Sequence, residues 1–319
     1  MIFTRKYHLL FLGLLFFCFV TKQNAVQIKI ERENGKLVVK AGDELFTQYI
    51  YDSNDRAKPI LYPIIGVTGQ AMTRSFPIEE SRKGEENDHP HHSSMWYTHG
   101  NVNGVDFWAV GERKGKIVHQ EFLNVNGNSF TSLNSWVDSQ GKTICQDKRT
   151  LSFYDYAGTE RAIDIEISMM ATTGDLVFGD TKEGSMGIRM SPEFRLRGKV
   201  ARGSCTNSEG IVGKSIWGKR ASWVSYWAPF EDRVLAISIF DHPSNPRHPT
   251  WWHARDYGLV AANPFGQHDF ESKPEGTGNM KLKLGESVTF TYRFLFHLGD
   301  PQMSGLSQKY IEWSKEKSK

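Results

Sequence analysis

Cysteine is scarce in this 319-residue chain, with only Cys18, Cys145 and Cys205. That excludes a disulfide framework and leaves stability to a hydrophobic core. Long apolar runs are equally few. The one candidate, Leu9 to Val20 (LLFLGLLFFCFV), is shorter than the roughly 20 residues a spanning helix needs, and nothing later in the chain is as apolar. A bundle of several spanning helices is thereby excluded. Charge of either sign is not in excess, with 39 Lys and Arg against 36 Asp and Glu. Residues 1–25 hold Arg5, Lys6 and Lys22 and no acid, so the remainder is evenly balanced. No Lys/Arg block offers a footprint for phosphate backbones, and nucleic acid is not an expected partner. Helical periodicity, internal repeats and low-complexity linkers are lacking too, which argues against a βαβ fold and against several domains.

What is present begins with a leader. Arg5 and Lys6 precede the apolar run, and Thr21-Lys22-Gln23-Asn24 follow it, the layout of a signal peptide cleaved near Ala25. The expectation is an exported protein, periplasmic or extracellular, with no membrane span once residues 1–25 are removed. Cys145 and Cys205 could then pair. Beyond the leader, strand signals dominate. Val26, Ile28 and Ile30 alternate into Asn34-Gly35, with Leu37 and Val39 beyond the turn. Similar patterns run from Ile117 to Leu123 into Asn126-Gly127, and from Leu151 to Tyr156 into Ala157-Gly158 with Ile163, Ile165 and Ile167 following. Two more occupy Val234 to Phe240 and Val288 to Phe296. Only Leu306 to Ser314 reads as a helix. Residues 26–319 are therefore expected to form one all-β domain, a large antiparallel β-sandwich with a short C-terminal helix.

Function is expected in loops, because long irregular segments in a compact domain tend to carry it. The first, DHPHHSSMWYTHGNVNGVDFW (residues 88–108), holds His89, His91, His92 and His99 with Trp96, Asn103, Asp106 and Trp108. Side chains two apart in an extended chain share a face, so His89 and His91 could ligate one ion, with His92, another histidine or Asp256 completing the set. A neutral-range imidazole could equally donate and accept protons. The second loop, DHPSNPRHPTWWHARDYG (residues 241–258), brings His248, Trp252, His253, Arg255 and Asp256 along a path stiffened by Pro243, Pro246 and Pro249. Indole faces beside Arg, His and Asp suit a polar, ring-shaped ligand. The third, AANPFGQHDFE (residues 261–271), offers Asn263 and His268, while Arg74, Arg189, Lys219 and Arg220 are cations that would favour an anionic group.

These segments, with GSMGIRM, WGKRASWVSYW and FTYRFLFHLGD, resemble the PmoA-type family of exported bacterial proteins, labelled "methane oxygenase PmoA", over about Pro63 to Asp300. The resemblance implies an exported protein of polysaccharide-degrading bacteria, found beside sugar oxidoreductases and hydrolases. A membrane oxygenase subunit needs several spanning helices, which this chain cannot supply. A looser likeness links the order Arg74, His89 to His99, then His248, His253 or Asp256 to the sugar mutarotase supersandwich, with no counterpart to its catalytic glutamate. It implies the architecture only.

The function expected first is His-mediated acid/base chemistry on a carbohydrate or oxidised sugar. His91, His92, His253 and Asp256 are its catalytic candidates. Arg74, Trp96, His99, Asn103, Asp106, Arg189, Lys219, Arg220, His248, Trp252, Arg255, Asn263 and His268 are its binding candidates. A non-catalytic glycan-binding module and a metal-dependent enzyme built on His89, His91 and His92 are the alternatives. The sequence specifies no cofactor.

Overall fold

The computed structural model describes residues 26–52 and 56–316, so the leader lies outside the described residues. The turn at Asn34-Gly35 joins Ile28–Glu33 to Lys36–Ala41 as an antiparallel hairpin, with Gly35 at φ 72°, a left-handed conformation that glycine adopts without steric cost. These strands open an eight-stranded sheet that continues in spatial order through Glu44–Ile50, Ile60–Ile64, Met95–His99, Gly184–Arg189, Leu259–Asn263 and Trp251–Ala254.

The second eight-stranded sheet runs Ser204–Asn207, Trp223–Phe230, Arg233–Asp241, Ser287–Leu298, Glu160–Met170, Thr143–Asp155, Ser129–Val137 and Lys116–Asn126. Its long strands alternate as the sequence pattern requires. In Glu160–Met170, Ile163, Ile165, Ile167 and Met169 are all buried. A short ribbon, Leu176–Phe178 with Met280–Leu282, stands apart.

One hydrophobic core joins the inner faces of the two sheets. Phe46, Tyr97, Met186, Ile188 and Val260 from the first meet Phe130, Trp136, Phe153, Ile165, Ile237 and Phe294 from the second. The expected antiparallel sandwich is what forms. Within the core lies an ion pair that alternation does not disclose. Asp147, 0% exposed, accepts from Arg149 Nε at 2.8 Å and Nη2 at 2.5 Å, from Asn134 at 2.8 Å and from Trp136 Nε1 at 2.6 Å. Full satisfaction is what makes such a buried carboxylate tolerable.

The expected C-terminal helix spans Leu306–Trp313 and packs Leu306 and Trp313 against Phe240 and Leu295 on the outer face of the second sheet. A five-residue helix at Gln267–Glu271, unforeseen from the pattern, ends the third loop. Cys145 and Cys205 are buried free thiols, so the bridge left open by the sequence does not form. No helix among the described residues is long and apolar enough to cross a membrane.

Candidate functional site

Register in the first sheet sets Trp96 opposite Gly187, Gly187 opposite Ala261, and Ala261 opposite His253, one row across four strands. Alternation turns Met95 and Tyr97 into the sandwich core and Trp96 outward, into a smaller cluster with Ile60, Tyr62, Trp108, Leu259 and Ala261. A Cβ on Gly187 would stand 3.0 Å from Cε2 and Cζ2 of Trp96. Its lack of a side chain lets the indole lie close over the neighbouring strand. Three more rings stack in succession on that indole. His92 lies 5.4 Å from Trp96 at 12°, His89 lies 4.9 Å from His92 at 3°, and Tyr257 lies 5.1 Å from His89 at 13°.

The loop that carries the histidines is held by two buried guanidiniums. Arg74, 2% exposed, donates to the carbonyls of Glu86 at 2.9 Å, Asp88 at 2.9 Å and His89 at 3.0 Å, and to Asp88 Oδ1 at 2.5 Å. Arg189, 1% exposed, donates to the same Oδ1 at 2.8 Å and sits 3.0 Å from His92 Nδ1. Asp88 Oδ2 meets His89 Nδ1 at 2.8 Å. This dense bonding stabilises a backbone that His89 enters at φ 44°. Burial opposes ionisation of Asp88, yet Arg189, His89 and Arg74 together hold its carboxyl below the usual value. Burial, and then Arg74, pull Arg189 down to about 10. His92 is kept neutral by burial and by His91 and Arg189.

His91 differs from both neighbours. It is half-buried, 4.3 Å from the His92 ring and 6.3 Å from Trp108, and makes no hydrogen bond or ion pair among the described residues. Burial, then the charge of Lys58, lowers its pKa to about 4, with Asp106 opposing. It is therefore a neutral imidazole with both nitrogens available. Asp106 is occupied by Lys114 Nζ at 2.8 Å and by the backbone N–H groups of Trp108 and Ala109 at 2.8 and 3.1 Å.

A family model matches residues 36–310. The chain belongs to DUF6807, a family of unknown function. That description names no activity and carries no oxygenase label. No curated protein matches. Solved structures similar to this DUF6807 chain include a galactose mutarotase related enzyme from Lactobacillus acidophilus, at 12% identity over 85% of this chain and 97% of that one, with TM-score 0.29. A heparan sulfate lyase from Pedobacter heparinus matches at 9% identity over 87% of this chain and 36% of its own, with TM-score 0.37. A glycoside hydrolase family 97 enzyme from Pseudoalteromonas sp. strain K8, in complex with acarbose, matches at 12% over 86% and 35%, with TM-score 0.35. The chain spans about a third of the length of the last two structures.

Elsewhere in this DUF6807 chain the expected site residues scatter. His253 shares the outer face with Trp96, three strands away, about 14 Å at the usual strand spacing. It is 3% exposed, and burial, then Arg255, lowers its pKa to about 3. Asp256 does not orient an imidazole: Arg197 and Lys214 each hold it at 3.0 Å. Trp252 is 0% exposed in the inter-sheet core and donates to Ala221 O, so it presents no face to a ligand. His99, expected with the other three histidines, faces inward because it lies an odd number of residues from Trp96, and its Nε2 meets Gly179 O at 2.8 Å.

Asn103 bonds Asp175 O and the N–H of Val177, and Asn263 bonds Thr181 O and the N–H of Phe265, so both amides are spent on loop backbone. His268 meets Lys273 O, Arg220 caps the carbonyls of Pro249 and Arg247, and Lys219 is exposed. His248 is oriented by buried Asp241 at 2.7 Å and reaches Tyr310 at 3.4 Å, tying the second loop to the C-terminal helix. Arg255 stands 5.7 Å from the Tyr257 ring and thus borders the stack. No group of three or more His, Cys, Asp or Glu side chains among the described residues is placed to hold a metal ion. Sequence reasoning missed Asp88 as the anchor, Tyr257 as the end of the stack, and Lys58; only Asp88 carried a signal, as the acid opening the histidine run.

Proposed function

We propose that this protein is an exported carbohydrate-active enzyme that binds a sugar or oxidised sugar beside the ring stack and uses His91 to relay a proton. The carrying observation is the contrast within one dipeptide: His92 is locked by Arg189 and stacking, whereas His91 is half-buried, neutral and unbonded. A neutral imidazole can donate its N–H to a carbonyl oxygen while its other nitrogen accepts a hydroxyl proton. Half-buried Tyr257 and the exposed edge of His89 supply aromatic surface for the apolar face of a sugar ring, with buried Trp108 backing the imidazoles from behind. Arg74 and Arg189 act indirectly in this scheme, positioning the loop through Asp88.

The test is a pair of variants assayed against a panel of sugars and keto-sugars. His91→Ala should abolish turnover while costing less than about 1 kcal/mol of stability, since it breaks no hydrogen bond. His92→Ala should cost about 2–4 kcal/mol, through the loss of a packed ring and of Arg189's partner. Full turnover by His91→Ala would refute the assignment. Binding without turnover by the wild type would establish a glycan-binding module instead.

A further inference from the structure

Lys58 lies just before the strand Ile60–Ile64 and is 4% exposed, the only lysine so buried among the described residues. Lysine seldom tolerates such burial without a carboxylate partner. Here Nζ donates to Trp108 O at 3.4 Å and stands 5.7 Å from the Trp96 ring centroid, and no ion pair reaches it among the described residues. Asp106 acts on it only at a distance, its oxygens being taken by Lys114 and two backbone N–H groups. Lys58 also lines a cavity of about 270 Å³ with Arg56, Ile60, Ile78, Pro90 and Ser93. Pro90 and Ser93 of that lining bracket His91 and His92 in the chain, and the charge of Lys58 acts on His91, which puts the free imidazole near the amine although it does not itself line the cavity.

We propose that Lys58 is a nucleophile that captures the carbonyl carbon of a small aldehyde or ketone as an imine in the cavity beside His91. It rests on the function proposed above only for the carbonyl compound's being a sugar. The Nζ lone pair forms the C–N bond as the carbonyl π electrons pass to oxygen. Nitrogen then gives up both protons, the C–O bond breaks, and the oxygen leaves as water, with no change of oxidation state. In this scheme His91, which feels the charge of Lys58, carries a proton from nitrogen to the departing oxygen.

Electrostatics support the geometry. Burial lowers the pKa of Lys58 to about 7, with Asp106 only partly opposing. About half the amine is then unprotonated at neutral pH, against less than about one part in a thousand for an ordinary lysine. A purely structural alternative, a cation resting on Trp96, would be met equally well by arginine.

The test treats the purified protein with D-glyceraldehyde and sodium cyanoborohydride at pH 7, followed by peptide mapping. The reduced adduct should form on Lys58 roughly tenfold or more faster than on exposed lysines such as Lys214 and Lys283, despite their accessibility. Lys58→Arg, which keeps the charge, and Lys58→Met should both lose that adduct with the native circular dichroism retained in at least the arginine variant. Labelling that follows exposure and leaves Lys58 unmodified would overturn the proposal. Wild-type turnover in Lys58→Arg would overturn it as well. Failure of the whole sugar panel to bind, with Lys58 trapping intact, would instead refute the sugar reading and leave the nucleophile standing.

Discussion

Replacing Asp88 by Asn removes one charge and almost no volume, which makes it the sharpest probe of the histidine loop. In the native protein Oδ1 of Asp88 receives hydrogen bonds from Arg74 at 2.5 Å and Arg189 at 2.8 Å, and both guanidiniums are 2% exposed or less. Each charged hydrogen bond contributes about 1.5–3 kcal/mol. Both cations keep other acceptors, namely loop carbonyls for Arg74 and His92 Nδ1 for Arg189, so neither is stranded. The Asp88 side chain is 31% exposed, and solvent screening reduces the gain. The expected loss is about 2–4 kcal/mol, read as a lowered urea midpoint with unchanged m-value.

The loss should also depend on pH. The folded-state pKa of Asp88 is depressed, so its contribution is full above the unfolded carboxylate value near 3.9 and disappears as pH falls through the lower folded value. The wild type and Asp88→Asn should therefore converge in stability toward the acid limit. Tryptophan emission should shift as well, because Trp96 and Trp108 pack against the imidazoles that the carboxylate positions. A change below about 1 kcal/mol at pH 7, or a gap that persists unchanged into acid, would refute the view that this carboxylate organises the loop.

Acid should destabilise the fold through buried histidines. His99 and His253 have folded pKa values of about 4 and about 3, below an unfolded value near 6.5, so the unfolded state binds more protons and stability falls as pH drops from 6.5 toward those values. For His99, 0% exposed, the effect is on the order of 3 kcal/mol, and His99→Gln, which keeps a donor for Gly179 O, should flatten the acid slope measured by urea titration. Gly187→Ala should lower stability by about 1–3 kcal/mol and perturb Trp96 fluorescence, because its Cβ would press on the indole at 3.0 Å. Gly104→Ala, with φ 82° and open space around it, should cost about 1 kcal/mol with fluorescence unchanged. Equal spectra for the two variants would contradict the close approach described for Gly187.

Much of the architecture was legible because it is local. Alternation at Ile163, Ile165 and Ile167, and the turns at Asn34-Gly35 and Ala157-Gly158, depend on residues a few positions apart, and strands form there for the reasons the pattern states. The Leu306–Trp313 helix is legible on the same ground. The wealth of His and Trp in residues 88–108 likewise marked the loop that carries the candidate site.

The assignment of roles within that loop belonged to tertiary structure. His91 and His92 are adjacent in sequence, yet one stacks on Trp96 and meets Arg189 from a distant strand while the other stays unbonded. His99 turned into the core by strand parity, and Trp252 followed the inner face of its own strand. Arg74, Arg189, Lys58 and Tyr257 reached the loop from four separate segments, and burial, which sets their charge states, is a property of those long-range contacts. Composition therefore determined an all-β chain with an imidazole-rich loop, and packing alone decided which imidazole is free, because hydrogen-bond occupancy and desolvation arise only when distant strands meet.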